Sequence, residues 1–415
     1  MKHLRNLIKL PTSIGNLINL RYLDISGDGL KIKDLRDMSH LKGEICISKL
    51  EKVENIQDAR NANLNTKHNL EGLTMKWNVE LNDSQNGIHE MDVLDSLQPH
   101  SNLNKLSIVL YDGPKFPRWI MDASFSKMVY LSLINFQKCT SLPCLGQSPL
   151  LKNLLIQGMN GVKKVGVEFY GATCLSNKPF PSLESLQFAC MSAWEDWEKL
   201  SLSILVSFPC LQELRLGFPL PRLPSICELH TEECNEVFLP MLQVLQISEC
   251  GELTYFRKNG FGLENLAHLQ QLEISSCPQL VSLEEDKEQG HPCNLQYLRI
   301  EHCDKLEKLP NVWQYLTCLE ELEIKDCPNL MSFPEMGFPP MLRRLSIQIV
   351  KLLRQLPNGA LARSTLLKHS ALAAYFQKQP PFLMITATVP PVSSSQNSHR
   401  SSHKKIPQSR IPVRL

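Results

Sequence analysis

The stretch LQYLRIEHCDKLEKLP at 295–310 is answered by LEELEIKDCPNLMSFP at 319–334, with the same residue types at the same offsets. Leu295, Leu298, Ile300, Cys303, Leu306 and Leu309 in the first become Leu319, Leu322, Ile324, Cys327, Leu330 and Phe333 in the second. Upstream the pattern reads Leu269, Leu272, Ile274, Cys277, Leu280 and Leu283, and before that Leu242, Leu245, Ile247, Cys250, Leu253 and Phe256. Six positions in register over four copies, recurring about every 25 residues, define a structural repeat. Leu-x-Ile at period two is a short strand with one buried face, and the residues between the anchors belong to the opposite face. The last two apolar anchors lie on a return limb behind the strand. A single copy cannot bury enough surface to offset the entropy of ordering itself, so the unit is stable only when stacked on its neighbours.

Weaker copies carry the register towards the N-terminus. Strand cores occur at Leu20–Ile25, Ile45–Ile47, Leu70–Met75, Leu103–Ile108, Met128–Leu133, Leu151–Ile156, Leu183–Phe188 and Leu211–Leu216. Leu342, Leu345 and Ile347 close the series, followed by Leu353 and Leu356. The consensus is that of a leucine-rich repeat. The fold class it predicts is an α/β solenoid: a leucine-rich-repeat horseshoe with a parallel concave sheet of about thirteen strands and a mostly irregular convex side. One solenoid domain is expected over residues 1–357, with a tail at 358–415. The intervals from Leu70 to Leu103 and from Leu151 to Leu183 are long. The segment NVELNDSQNGIHEMD at 78–92 has almost no periodicity and reads as an exposed loop. Pro219 stands where the ladder cysteine belongs in the Leu211 copy, and with Pro221 and Pro224 it predicts an irregular return limb.

The charge balance divides the chain. All 42 acidic residues precede Gln348, whereas residues 349–415 hold ten basic residues and no acidic one. Beyond Pro357 the rhythm is lost, and Pro380-Pro381, Pro390-Pro391 and Ser393–Ser395 lead into a basic end that reads as disordered, with a short helix at 361–376 as its one candidate element. The opening MKHLRNLIKL lacks the apolar core of a signal peptide, and its leucines already belong to the repeat lattice. No run is long and apolar enough for a membrane span. A cytoplasmic location is therefore expected; the lone sequon Asn82-Asp83-Ser84 is a weak counter-signal.

Fourteen cysteines raise the questions of metal and disulfide. Cys250, Cys277, Cys303 and Cys327 share one repeat position, so they form a line with steps of roughly 5 Å. Points spread over such a line do not converge on one zinc ion at a Zn–S distance of about 2.3 Å, and no CxxC pair occurs. Disulfides between adjacent rungs are within reach by distance, but the missing signal peptide argues against an oxidising compartment, so buried free thiols, packing the turn after each strand and donating weakly to backbone carbonyls, are expected. Phosphate-binding, zincin, nucleophile-elbow and dinucleotide motifs are all missing from plausible contexts. His302 and Cys303 mimic a base and nucleophile, but consecutive residues at a strand end face opposite ways. Glu284, Glu285, Asp286 and Glu288 are explained by a solvated loop. No enzyme, cofactor or metal is expected.

What remains is a surface. The x positions of the regular repeats put Tyr297, Arg299, Glu301, Glu320, Glu321, Glu323, Arg343 and Arg344 on the concave face, an acidic rung beside a basic one. Such a patch suits a charged protein partner; a merely solvated polar face would look the same. Neither nucleic acid nor a membrane is called for.

Segments outside the strict repeats carry a resemblance. KLPTSIGNLINLRYLDIS at 9–26, LKGEICISKLEKVENIQDARNANLNTKHNLEGLTMKW at 41–77, VLDSLQPHSNL at 93–103 and FPRWI at 116–120 are four of them. LPCLGQSPLLKNLLIQGM at 142–159, GVEFYG at 166–171 and WEDWE at 194–198 complete the set. Together with the cysteine repeats they resemble, over roughly 4–357, the leucine-rich-repeat domain of plant coiled-coil-type nucleotide-binding leucine-rich-repeat disease resistance proteins. The resemblance implies a domain that senses pathogen effectors or the host proteins they modify, and that restrains a receptor whose coiled-coil and nucleotide-binding module lies in cis or in trans. With no phosphate-binding loop, the chain reads as a fragment of such a receptor lacking the nucleotide-binding module. A repeat-only adaptor or scaffold, a substrate-recruiting subunit of a ubiquitin ligase, and a non-functional receptor fragment are the alternatives.

Overall fold

The structure is a computed structural model, and it describes residues 22–24, 31–78, 87–171, 179–197, 208–217, 239–254, 266–283, 294–307, 309, 316–330, 338–348 and 384–386. The chain divides into two compact units, residues 1–223 with 228–246, and residues 224–227 with 247–415.

In the first unit, strands β1 (Tyr22–Asp24), β2 (Gly43–Ser48), β3 (Leu70–Lys76), β4 (Lys105–Val109), β5 (Tyr130–Ile134) and β6 (Asn153–Gln157) pair in parallel, each with the next. A minor pair, β7 (Lys164–Val165) and β9 (Asp196–Trp197), stands apart, so β6 pairs directly with β8 (Ser185–Ala189), which pairs with β10 (Glu213–Gly217). The strand β11 (Val244–Ser248) spans the boundary of the two units. In the second unit β12 (Gln271–Ser275), β13 (Tyr297–Glu301), β14 (Glu321–Lys325) and β15 (Arg344–Gln348) continue the parallel pairing. Every expected strand position therefore holds a strand, and the solenoid class stands.

The register shows why the Leu-x-Ile spacing works. Leu272, Leu298, Leu322 and Leu345 are Cα partners in successive pairs, as are Ile274, Ile300, Ile324 and Ile347. Strands β11 to β14 alternate half-buried and buried residues, the period-two signature of a sheet with one face in the core. After most strands one residue takes the left-handed conformation: Leu110, Asn135, Gly158 and Cys190 in the first unit, and Glu249, Ser276, His302 and Asp326 in the second. Its N–H donates to the last carbonyl of the next rung at 2.7–3.0 Å, as from Asn135 to Gln157 and from His302 to Lys325. The reversal turns the following residue inward. That residue is Tyr111, Phe136, Met159 or Met191 in the first unit and Cys250, Cys277, Cys303 or Cys327 in the second, and all are buried. One lattice position thus carries large apolar side chains in one unit and thiols in the other, and His302 and Cys303 do face opposite ways.

The cysteine column behaves as a set of packed thiols. Cys277 Sγ lies 3.4 Å from the Ser275 carbonyl, Cys303 Sγ 3.5 Å from Glu301 and Cys327 Sγ 3.3 Å from Lys325. All four are free cysteines.

Behind the strands lie α1 (Ile56–Asn61), α2 (Gly87–Ser96), α3 (Val167–Tyr170) and several 3-10 turns. The helix α2 corrects the sequence reading, because residues 87–92 were expected to be loop. Gly87, Glu90, Val93 and Leu94 are its buried positions, followed by buried Leu97, a helical spacing hidden by a glutamate on the inner face. A Cβ at Gly87 would stand 2.8 Å from the Asp112 carbonyl, so the helix approaches the chain after β4 closely.

In the C-terminal segment Met384–Thr386 forms a strand, β16, parallel to β15. The expected helix at 361–376, the proline-bearing limb after β10, Glu284–Glu288, and the anchors Phe256, Phe333, Leu353 and Leu356 fall outside the described residues.

Candidate recognition surface

The sequence-predicted patch lies on β13, β14, β15 and the residues just before them. Tyr297, Arg299, Glu301, Glu320, Glu321 and Glu323 are half-buried, and Arg343 and Arg344 are exposed. Parallel register sets Arg299 beside Glu323 and Glu321 beside Arg344, and the charges meet accordingly. Arg344 Nη1 bonds Glu321 at 2.7 Å, and Arg343 Nη1 bonds Glu320 at 3.2 Å. Arg299 Nε donates to Glu301 at 2.9 Å and lies 3.6 Å from Glu323. The Tyr297 hydroxyl donates to Glu323 at 3.1 Å, and Lys325 pairs with the same carboxylate. His302 stands between Glu301 at 3.7 Å and Asp326 at 3.4 Å.

Glu323 is the hub of this network. Burial alone would raise its carboxyl, but hydrogen bonds from Lys325 and Tyr297, with the charges of Lys325 and Arg299, hold it below its ordinary value. Burial and the neighbouring Glu323 push the Tyr297 phenol up to about 12. Burial would lower the Arg299 guanidinium; Glu301 and Glu323 outweigh that and raise it. The structure therefore brings all eight residues onto one face but pairs the charged ones across or along rungs. An exposed pair such as Glu320–Arg343 or Glu321–Arg344 contributes only about 0–1 kcal/mol, whereas Tyr297, Arg299, Glu301, Glu323 and Lys325 form a connected set, so charges of both signs are held in a mosaic.

A cavity that the sequence reading missed lies on the same strand face of the first unit. About 840 Å³ opens over β2–β5, lined by Cys46, Thr74, Ser107, Tyr130 and the Glu44–Lys105 ion pair. Its depth comes from short side chains at the middle x of Leu-x-Ile. That position holds Cys46, Thr74 and Ser107 here, against Glu273, Arg299 and Glu323 in the second unit. Gly72 completes the floor, since a Cβ there would lie 2.7 Å from Glu44 Cγ and displace the side chain that reaches Lys105. The run of small middle residues was the available signal.

Among the described residues no group of three or more His, Cys, Asp or Glu could hold a metal ion, and no helix is long and apolar enough to cross a membrane. The strand face presents hydrogen-bonding and charged side chains.

Residues 32–159 match the family model described as R13L1/DRL21 LRRs. The disease resistance RPP13-like protein 1 of Arabidopsis thaliana is 35% identical over 315 residues, covering 69% of this chain and 29% of that protein. Disease resistance protein RGA2 of Solanum bulbocastanum is 32% identical over 268 residues, covering 61% of this chain and 25% of that protein. The chain thus spans less than a third of the length of either relative. Among solved structures, an internalin of Listeria monocytogenes aligns over 75% of this chain and 76% of its own at 15% identity, with a TM-score of 0.43. The repeats of this chain are leucine-rich repeats of the type carried by plant disease resistance proteins.

Proposed function

We propose that the chain is the protein-recognition region of a plant intracellular immune receptor. It senses a pathogen effector, or a host protein that an effector has modified, and restrains the receptor's coiled-coil and nucleotide-binding module until then. Its place is the cytoplasm, its partners are proteins, and it binds no cofactor and performs no catalysis. The similarity to disease resistance proteins supports the class of process. The observation that carries the reading is the ordered charge mosaic of Tyr297, Arg299, Glu301, Glu320, Glu321, Glu323, Arg343 and Arg344 on one strand face. Fixed charges of both signs steer a complementary protein and reject others, and association slows as salt screens them.

The test uses the chain joined to a matching coiled-coil and nucleotide-binding half and expressed in leaves. Glu320→Lys and Glu321→Lys together remove the two carboxylates that answer Arg343 and Arg344. Both lie near the surface, so the fold should lose no more than about 2 kcal/mol. The expected outcome is altered cell death, either lost on effector delivery or constitutive through failed restraint. Cell death identical to the parent under every effector tried and without one would reduce the mosaic to a solvated face.

A further inference from the structure

The second edge of β15 has an occupant supplied by the chain itself. Strand β14 covers one edge of β15, and β16 pairs with the other in the register Arg344↔Met384, Leu345↔Ile385 and Ser346↔Thr386. The Arg344 N–H donates to the Glu320 carbonyl on the β14 side at 2.9 Å. Amides alternate along a strand, so Leu345 and Ile347 present theirs to the opposite edge. The donor offset on the neighbouring rungs is one residue: Tyr297 N–H reaches Gln270, which precedes its register partner Gln271. The same offset directs Leu345 N–H to the carbonyl of Met384 and Thr386 N–H to that of Leu345.

Composition favours this segment as the occupant. FLMITATV at 382–389 is apolar and rich in β-branched residues, and Pro380-Pro381 and Pro390-Pro391 bound it. Thirty-five residues separate Gln348 from Met384, well above the dozen or so that a parallel crossover needs. The rung it meets is also less covered than the others. Ile347 is half-buried, whereas Ile274, Ile300 and Ile324 in the same column are 0% exposed. An uncovered parallel edge is a template for pairing with another chain.

We infer that Met384–Thr386 is a built-in closing strand, which docks on the second edge of β15 and blocks edge-to-edge association of the repeat sheet. The test is amide hydrogen exchange, followed by mass spectrometry over residues 342–348, on the full chain and its Thr386→Pro variant. The substitution removes one donor to β15 and touches no residue of the repeats. Exchange in this segment should quicken about tenfold while β12 and β13 are unchanged. A chain ending at Gln379 should show the same loss, and a synthetic peptide of residues 380–391 should restore protection saturably. Equal exchange in parent, variant and truncated chain would overturn the inference. Protection in the parent that appears only as a dimer forms at rising concentration would also overturn it, by assigning the edge to a second copy.

Discussion

At the scale of single residues, the repeat is held by one unusual conformation and one buried column. The left-handed residue after most strands costs roughly 1–2 kcal/mol where it is not glycine, and it recurs because it aims an apolar or thiol side chain inward while its N–H bonds the next rung. In the second unit that column is a chain of cysteines. The Cys277 thiol is pushed up to about 12 by its hydrogen bond with Cys250, with burial adding to it, and the Cys303 thiol to about 12 by Cys277 and burial; Cys327 is raised by Cys303 and burial. These thiols should resist iodoacetamide at neutral pH until denaturant is added, as counted by mass spectrometry; rapid native labelling would contradict the packing. The sign of the pH effect follows. A folded thiol that titrates above its unfolded value of 9.0 keeps its full stabilisation below pH 9 and loses it as pH rises towards 12. Urea midpoints should therefore fall across that window, and replacing Cys277 and Cys303 by Ala should flatten the fall while lowering the midpoint at pH 7.

At the scale of elements, strands were more legible than helices. Leu-x-x-Leu-x-Ile announces a strand because every anchor is apolar and the period is two. The helix α2 is hidden because Glu90 occupies one of its inner positions. That carboxylate is repaid by a local bond, accepting the Asp112 N–H at 2.8 Å, beside Asp112, Lys138 and Glu51. Burial raises Glu90, only partly opposed by this bond. A carboxyl raised on folding contributes its full stability below its unfolded value and loses it as pH rises through the folded one. Glu90→Gln keeps the acceptor without the charge, so it should raise the melting temperature at pH 7 and change it little at pH 4. A variant that is less stable than the parent at pH 7 but not at pH 4 would show that the charge itself anchors α2.

At the scale of the whole molecule, the repeats stand or fall by their neighbours. Leu298 is 2% exposed and lies between Leu272 and Leu322 in the leucine column. Leu298→Asp buries an unpaired carboxylate at a cost of several kcal/mol, and the loss should reach β12 and β14. An unchanged circular dichroism melt would refute the register. The repeat spacing by itself determined the fold class, the strand positions and the core, because periodic burial is written directly into which residues are apolar. It also picked out Tyr297, Arg299, Glu301, Glu321, Glu323 and Arg344, since alternation in a strand dictates which positions leave the core; Glu320 and Arg343 precede their strands. Three-dimensional neighbours were needed to decide that Glu323 is shared by Tyr297, Arg299 and Lys325, because rungs adjacent in space are about 25 residues apart along the chain. The cavity over β2–β5 likewise depends on short side chains in three separate repeats aligning, and the closing strand on a segment outside the repeat finding an edge by backbone bonds, which carry no side-chain signature.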